Sequence, residues 1–299
     1  MKYGLEWEPP RINDILKTNF FLPILTYFII LQILGYFVKQ LLWTNHLPLA
    51  RHRLQNLTLS LVHSCITGCC SLIFFITHPA VMLEDAIHWY SPVAAQLIYF
   101  SMAYFLYDTV DVMKNDSSWH AHAILAHHMV VYSIFSVGML SHKFLPYIYW
   151  ALLVEINTSF LHIRSIMRLL IRDPHKDIYY QTASLLTFFT FFVFRFGTLL
   201  WMMLFMIVNY GTFHPFYTYS ALTAESFFFI FSIFLIYRLL IEEGILEKSH
   251  CKNPSEQTKK FLQIQMSNAS AANIPIVLEI ITEIIKRIIL NHNWNSLSI

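Results

Sequence analysis

The chain has 299 residues, of which 56% are hydrophobic types and 13% are charged, with a formal net charge of +2 and a mean hydropathy of +0.51. Soluble domains carry about 25% charged residues. A chain this apolar cannot cover its own surface against water, so the excess must face lipid. The small net charge, with no basic-aromatic patch, excludes nucleic acid as a partner.

Taken in order, apolar runs of about 20 residues predict spanning helices. The first run begins near Asn19, after charges of both signs, and is too long for a signal-peptide core. It reads as a spanning helix over 20–43 rather than a cleaved leader. Further spans are predicted over 54–77, 92–113, 119–140, 144–163, 181–209 and 217–241, the fourth and fifth carrying several polar residues. An arrangement of six spans with a re-entrant fifth segment is the alternative. Pro48, Pro79, Pro92, Pro146, Pro174 and Pro215 fall near segment ends, where a missing helical N–H is tolerated. The fold class is thus an all-α integral membrane bundle of about seven helices.

The organisation divides into an N-terminal segment with the first helix (1–44), a membrane domain (45–245) and a cytosolic tail (246–299). Within the tail, residues 274–290 place Val277, Leu278, Ile281, Ile284, Ile285 and Ile288 at helical spacing, with charges opposite. This is an amphipathic helix for a leaflet surface or for the bundle. With seven spans, one side receives 14 Lys and Arg and the other 4. Basic loops stay cytoplasmic, which sets the C-terminus in the cytosol. Cys65, Cys69 and Cys70 share one apolar segment and read as buried packing rather than disulfides. Cys251 is a weak lipidation candidate. The sequons at Asn56, Asn115, Asn157 and Asn268 fall in membrane or cytosol, so none is expected to be glycosylated.

Ionisable groups inside spans cost roughly 2.5–3.5 kcal/mol each and usually face a cavity, a partner or a functional site. Asp108 and Asp111 share one helix face near the end of the third span. His127 and His128 lie roughly 12–14 Å into the fourth. Glu155, with Asn157 and His162, lies in the fifth, and Arg195 about 20 Å into the sixth. Four helices thus bring polar groups into one half of the membrane. A histidine there serves as general base or nucleophile, with carboxylates to orient it. This points to acyl transfer through His127, His128 and Glu155, with Asp108, Asp111, Asn157, Arg164 and Arg195 lining a lipid pocket. The alternatives are local: Lys114 or Arg164 as partners for Asp108 and Asp111, Arg195 as counter-ion to Glu155, and a hydrogen-bonded helix contact for His63. His120, His122, His127 and His128 faintly resemble one histidine box of a membrane di-iron oxygenase. No second box exists, so no metal is expected. No P-loop, G-x-G-x-x-G, G-x-S-x-G or H-E-x-x-H motif is present, so no nucleotide cofactor is expected either.

The runs RHRLQNLTLSLVHSCITG (51–68), FLYDTVDVM (105–113), SWHAHAILAHHMVV (118–131), LLVEINTSFLHIR (152–164) and FVFRFG (192–197) resemble, in order, the TLC (TRAM–LAG1–CLN8) domain family. The YDTVD and VEINTSFLHIR runs are most similar to members that regulate membrane fluidity and phospholipid composition. That resemblance implies a plasma-membrane protein (the endoplasmic reticulum being the alternative) that limits incorporation of polyunsaturated acyl chains into phospholipids. Its partners would be membrane phospholipids or acyl chains, and its role regulatory rather than enzymatic. The ceramide synthase branch is the enzyme alternative, an acyl-CoA-dependent lipid acyltransferase. Its double histidine is matched by His127 and His128. Its paired acids on the next helix are matched only by Glu155, with Asn157 and Thr158 in the place of the second.

Overall fold

The computed structural model describes residues 18–46, 48–116, 118–171 and 173–246. Within them the chain is helical, with no strand. The elements are α1 (Thr18–Leu41), α2 (Pro48–Thr77), a short α3 (Pro79–Leu83), α4 (Pro92–Asn115), α5 (Trp119–Ser141) and α6 (Leu145–Leu170). A 3₁₀ turn (Pro174–Lys176) leads to α7 (Ile178–Thr190). This passes through a π-helical turn (Phe191–Phe196) into α8 (Gly197–Val208), and α9 (Pro215–Glu242) closes the set. Residues 1–17, Cys251 and the amphipathic stretch 274–290 lie outside the described residues.

All seven sequence-predicted spans are helices. Proline starts α2, α4 and α9, and stands in the first turn of α6. There its missing N–H costs no helical bond. The Ser118 side chain caps α5 by accepting from the Ala121 N–H, and Asp177 caps α7 by accepting from that of Tyr180.

Five stretches are long and apolar enough to cross a membrane: Phe20–Leu41, Ala50–Thr77, Ala121–Ser141, Ile178–Val208 and Pro215–Glu242. The other two, α4 and α6, have 24 and 26 residues. Each is thus over 30 Å long at about 1.5 Å per residue. Composition keeps them out of that set, and packing accounts for the composition. Both bury one residue after another, Asp108, Asp111, Asn157 and Arg164 among them. By contrast α1 presents Leu22, Leu25, Ile29, Ile30 and Ile33 outward. The least lipid-like helices are those that neighbouring helices cover. The six-span alternative needs a break in the fifth span, and α6 has none between Leu145 and Leu170.

The α6 helix packs most extensively against α2, and also against α7, the π turn and α8, while α4 packs against α1 and α5. Gly68 lets α2 approach the backbone of α6: a Cβ there would sit 2.9 Å from the Ile156 backbone nitrogen. Along α2 and α4, His63 Nε2 lies 3.0 Å from Ser101 Oγ, with its ring stacked on Tyr104 at 3.8 Å. His63 is therefore the hydrogen-bonded helix contact expected of it. Cys65, Cys69 and Cys70 are free thiols in α2.

Gly68→Ala should force α2 away from α6 because its new methyl group meets backbone, which cannot rotate aside. Overpacking of this kind costs about 1–3 kcal/mol. A lower melting temperature in detergent than wild type is expected. Gly197→Ala, whose Cβ would meet nothing closer than 3.4 Å, should leave it near the wild-type value.

Candidate functional site

The polar residues singled out in the sequence separate into three groups. The first lies where the ends of α1 and α4 meet the starts of α2 and α5. Asp111 is 3.3 Å from Lys39 Nζ and 3.2 Å from His52 Nε2. Asn56 Nδ2 donates to Asp108 at 2.7 Å and to Asp111 at 3.3 Å. His128 Nε2 lies 3.6 Å from Asp108, and its Nδ1 is 3.3 Å from the Thr109 hydroxyl. Asp108, Asp111 and His128 therefore tie four helices together. The expected alternative partners, Lys114 and Arg164, are not the ones used; Lys39 and His52 reach Asp111 because α1 ends and α2 starts beside it.

The second group is an ion-pair cluster at the end of α9. Arg164, fully buried, reaches Glu242 at 3.1 Å and Glu243 at 2.5 Å, and Arg168 reaches Glu242 at 2.5 Å. The Tyr180 hydroxyl donates to Glu243 at 2.9 Å. Arg164, expected in the lipid pocket, instead joins α6 to α7 and to the point where the chain leaves α9.

The third group surrounds a partly open cavity between α5, α6, α8 and α9. Counted out to its enclosing atoms and into its mouth, it holds about 800 Å³. Its wall is mostly apolar, built from Phe105, Val131, Phe135, Leu152, Leu199, Met202 and Phe228 among others. Four ionisable side chains interrupt it: His127, Glu155, Arg195 and Glu225. The His127 ring lies between Phe228 and Phe231, at 5.2 and 5.3 Å between centroids, and its Nδ1 has no hydrogen-bond partner. Arg195 Nε donates to Asn157 Oδ1 at 3.0 Å, and Nη2 donates to the Thr158 hydroxyl at 3.1 Å. Asn157 in turn donates to Thr187 O and to Thr190 Oγ1. It is wholly buried behind the wall. Arg195 is close enough to act electrostatically on both Glu155 and His127.

Local sequence explains how α6 and the π turn meet. A π turn widens the helix by one residue and is frequent at functional sites. This one carries Arg195, whose guanidinium stacks over Phe191 at 5.5 Å.

Of the sequence-predicted residues, the cavity thus gathers His127, Glu155 and Arg195, with Asn157 as their support. It does not gather His128, Asp108, Asp111 or Arg164. Because α6 runs on to Leu170, Glu155 lies about 22 Å from that end and about 15 Å from the Leu145 end. It is nearer mid-membrane than the predicted span end implied. Sequence reasoning missed Glu225, which is buried and hydrogen-bonded by the Tyr147 hydroxyl. The available signal was a lone acid inside an otherwise apolar span. Among the described residues no three His, Cys, Asp or Glu side chains converge as a metal set.

The TLC domain model matches residues 53–241. TLC domain-containing protein 2 of Danio rerio is 37% identical over 155 residues, which is 52% of this chain and 62% of that protein. The chain therefore spans about three-fifths of this relative's length. The human protein of the same name is 28% identical over 225 residues, covering 73% of this chain and 83% of its own. Human TLC domain-containing protein 1 is 29% identical over 148 residues, half of this chain and 59% of its own. No solved structure matches.

One group outside the spans gives a pH dependence. Burial pushes the Glu243 carboxyl up, but hydrogen bonds from Arg164, Ser184 and Tyr180 outweigh it and hold the group below the ordinary carboxylate range. A depressed carboxyl stabilises the fold fully above its unfolded pKa of about 4.3 and loses that effect as pH falls through its lower folded value. The melting temperature should hold steady from pH 7 to about 5 and fall below about 4.3. Glu243→Gln should lower the plateau and flatten part of the acid-side fall.

Proposed function

We propose, starting from the fact that this chain belongs to the TLC domain family, that it holds a lipid acyl chain in the α5–α9 cavity and thereby regulates membrane lipid composition. The observation that carries this reading is the wall of the cavity: hydrocarbon on most sides, with His127, Glu155 and Arg195 grouped against one part of it. A lipid has this same division between chain and head. The finer reading is that the protein limits entry of polyunsaturated chains into phospholipids at the plasma membrane. It rests on the likeness of the YDTVD and VEINTSFLHIR runs to family members that regulate fluidity. A cytosolic C-terminus is supported by the 14 to 4 division of Lys and Arg between the two sides.

The second reading is acyl transfer from acyl-CoA, and the free Nδ1 of His127 favours it. An imidazole nitrogen without a hydrogen-bond partner, on the same wall as a carboxyl, supports a general-base role for His127. In that reaction His127 takes the proton of an acceptor hydroxyl or amine as it attacks the thioester carbonyl. The C–S bond breaks and the departing CoA thiolate receives the proton.

Two measurements decide. The geometry divides the histidine pair, so His127→Ala and His128→Ala should behave differently. Lipidomics on expressing cells should show His127→Ala losing control of phospholipid unsaturation at near-normal protein level. His128→Ala, which leaves Asp108 with Asn56 as its remaining partner across the helices, should act by lowering melting temperature and abundance. Unchanged phospholipids with a stable His127→Ala protein would refute a cavity role. Incubation of the purified chain with radiolabelled oleoyl-CoA and membrane lipids tests the enzyme reading: time-dependent transfer that His127→Ala abolishes supports it, and absence of any labelled product leaves the regulatory reading.

A further inference from the structure

The cavity has a second polar point that neither reading above uses. Glu225, on α9, is 3% exposed and lines the cavity. One carboxyl oxygen receives the Tyr147 hydroxyl. The other, Oε2, is buried and has no hydrogen-bond partner. Among the described residues no Lys, Arg or His pairs with it. An unsatisfied buried polar atom costs about 1–3 kcal/mol, and an acid within a span usually marks a ligand or ion path. Glu225 does not serve as a helix–helix clasp alone, since the Tyr147 bond occupies only half of the group.

Its position relative to the first polar group follows from the helices. Tyr147 and Glu155 are eight residues apart on the same helix, so Tyr147, which anchors Glu225, and Glu155 are on the order of 12 Å apart along its axis. The wall between them is hydrocarbon: Ile148, Ala151, Leu152 and Met202. A plain saturated chain seated with its head at Arg195 would run past Glu225 and leave Oε2 unpaired.

From this we infer that Glu225, positioned by Tyr147, is a specificity determinant for a lipid whose hydrocarbon chain carries a hydroxyl part-way along its length. A hydroxyl both donates and accepts, so it satisfies Oε2 whichever protonation state the carboxyl adopts. A cationic group would suit only the ionised form, and its own desolvation opposes burial there. The inference rests on the proposed acyl-chain reading of the cavity and names the ligand class of that same site. A single added hydrogen bond of this type is worth about tenfold in affinity.

The test uses three probes on the purified full chain in nanodiscs: stearate, 10-hydroxystearate and 2-hydroxystearate, each competed against a photoreactive fatty acid. Wild type should hold 10-hydroxystearate about tenfold more tightly than stearate. The 2-hydroxy acid, with its donor beside the head, should bind like stearate. Glu225→Leu should lose the preference, holding stearate and 10-hydroxystearate alike. Glu225→Gln, which retains an acceptor and adds a donor, should keep most of the preference. Equal affinity of wild type for all three overturns the inference while leaving the acyl-chain cavity standing. An equal gain for both hydroxy acids also overturns it, since the donor position would then not matter. Failure of every probe to compete overturns the acyl-chain reading itself. The wild-type comparison decides even where Glu225→Leu does not fold, and a Glu225→Gln protein that folds but binds all three alike counts against the inference.

Discussion

A guanidinium at membrane depth must be held on more than one side, and the way Arg195 is held organises this bundle. Nε and Nη2 donate to Asn157 and Thr158 on α6, and Asn157 carries the connection onward to Thr187 and Thr190 on α7. Hydrocarbon offers no replacement for these bonds, so the α6–α7 contact and the π turn are coupled. If the π turn became ordinary α-helix, the side chains following it would rotate by a residue's angle, about 100°. Arg195 would then leave its acceptors, and the cavity would lose one wall.

The polar residues perform two different tasks, and distance from the cavity divides them. Asp108, Asp111, His128, Asn56, His52 and Lys39 form a closed network in which each group has a partner on another helix. Arg164, Arg168, Glu242 and Glu243 form a second. Networks of this kind fix which helices adjoin and in what register. The cavity group is different because it is incompletely paired: His127 Nδ1 and Glu225 Oε2 are both without partners. In a medium where an unpaired polar atom is costly, these two buried atoms on cavity-lining residues set this group apart from the two closed networks.

Much of the helix order was legible in the sequence because the membrane imposes a length of about 20 apolar residues and proline punctuates the ends. The polar central helices were legible only in part. A shielded helix needs no lipid-facing composition, so α4 and α6 carry a weaker apolar signal than α5, which itself holds four histidines. The residue list for the site was half legible. Depth along each helix groups His127, His128, Asp108 and Glu155, but adjacent residues on a helix point about 100° apart. Which histidine faces the cavity depends on helix rotation, and that is set by packing against Phe228 and Phe231 on α9. Glu225 was hidden for a related reason. It enters from the opposite end of its helix, so a search for polar groups sharing a depth on one side passes over it.

The departure from the ceramide synthase pattern also has a physical reading. Where that branch places a second acid, this chain has Asn157 and Thr158, and these are the acceptors that hold Arg195. Both are neutral, so they position the guanidinium without cancelling its charge. Glu155 is the carboxyl that acts on Arg195 electrostatically. Replacing Asn157 by an acid would add a second negative charge beside Arg195 and draw the guanidinium toward it, away from Glu155. The neutral pair therefore leaves Arg195 held by its α6 acceptors at the cavity wall. The polarity of the guanidinium is directed inward by the hydrogen bonds that fix it.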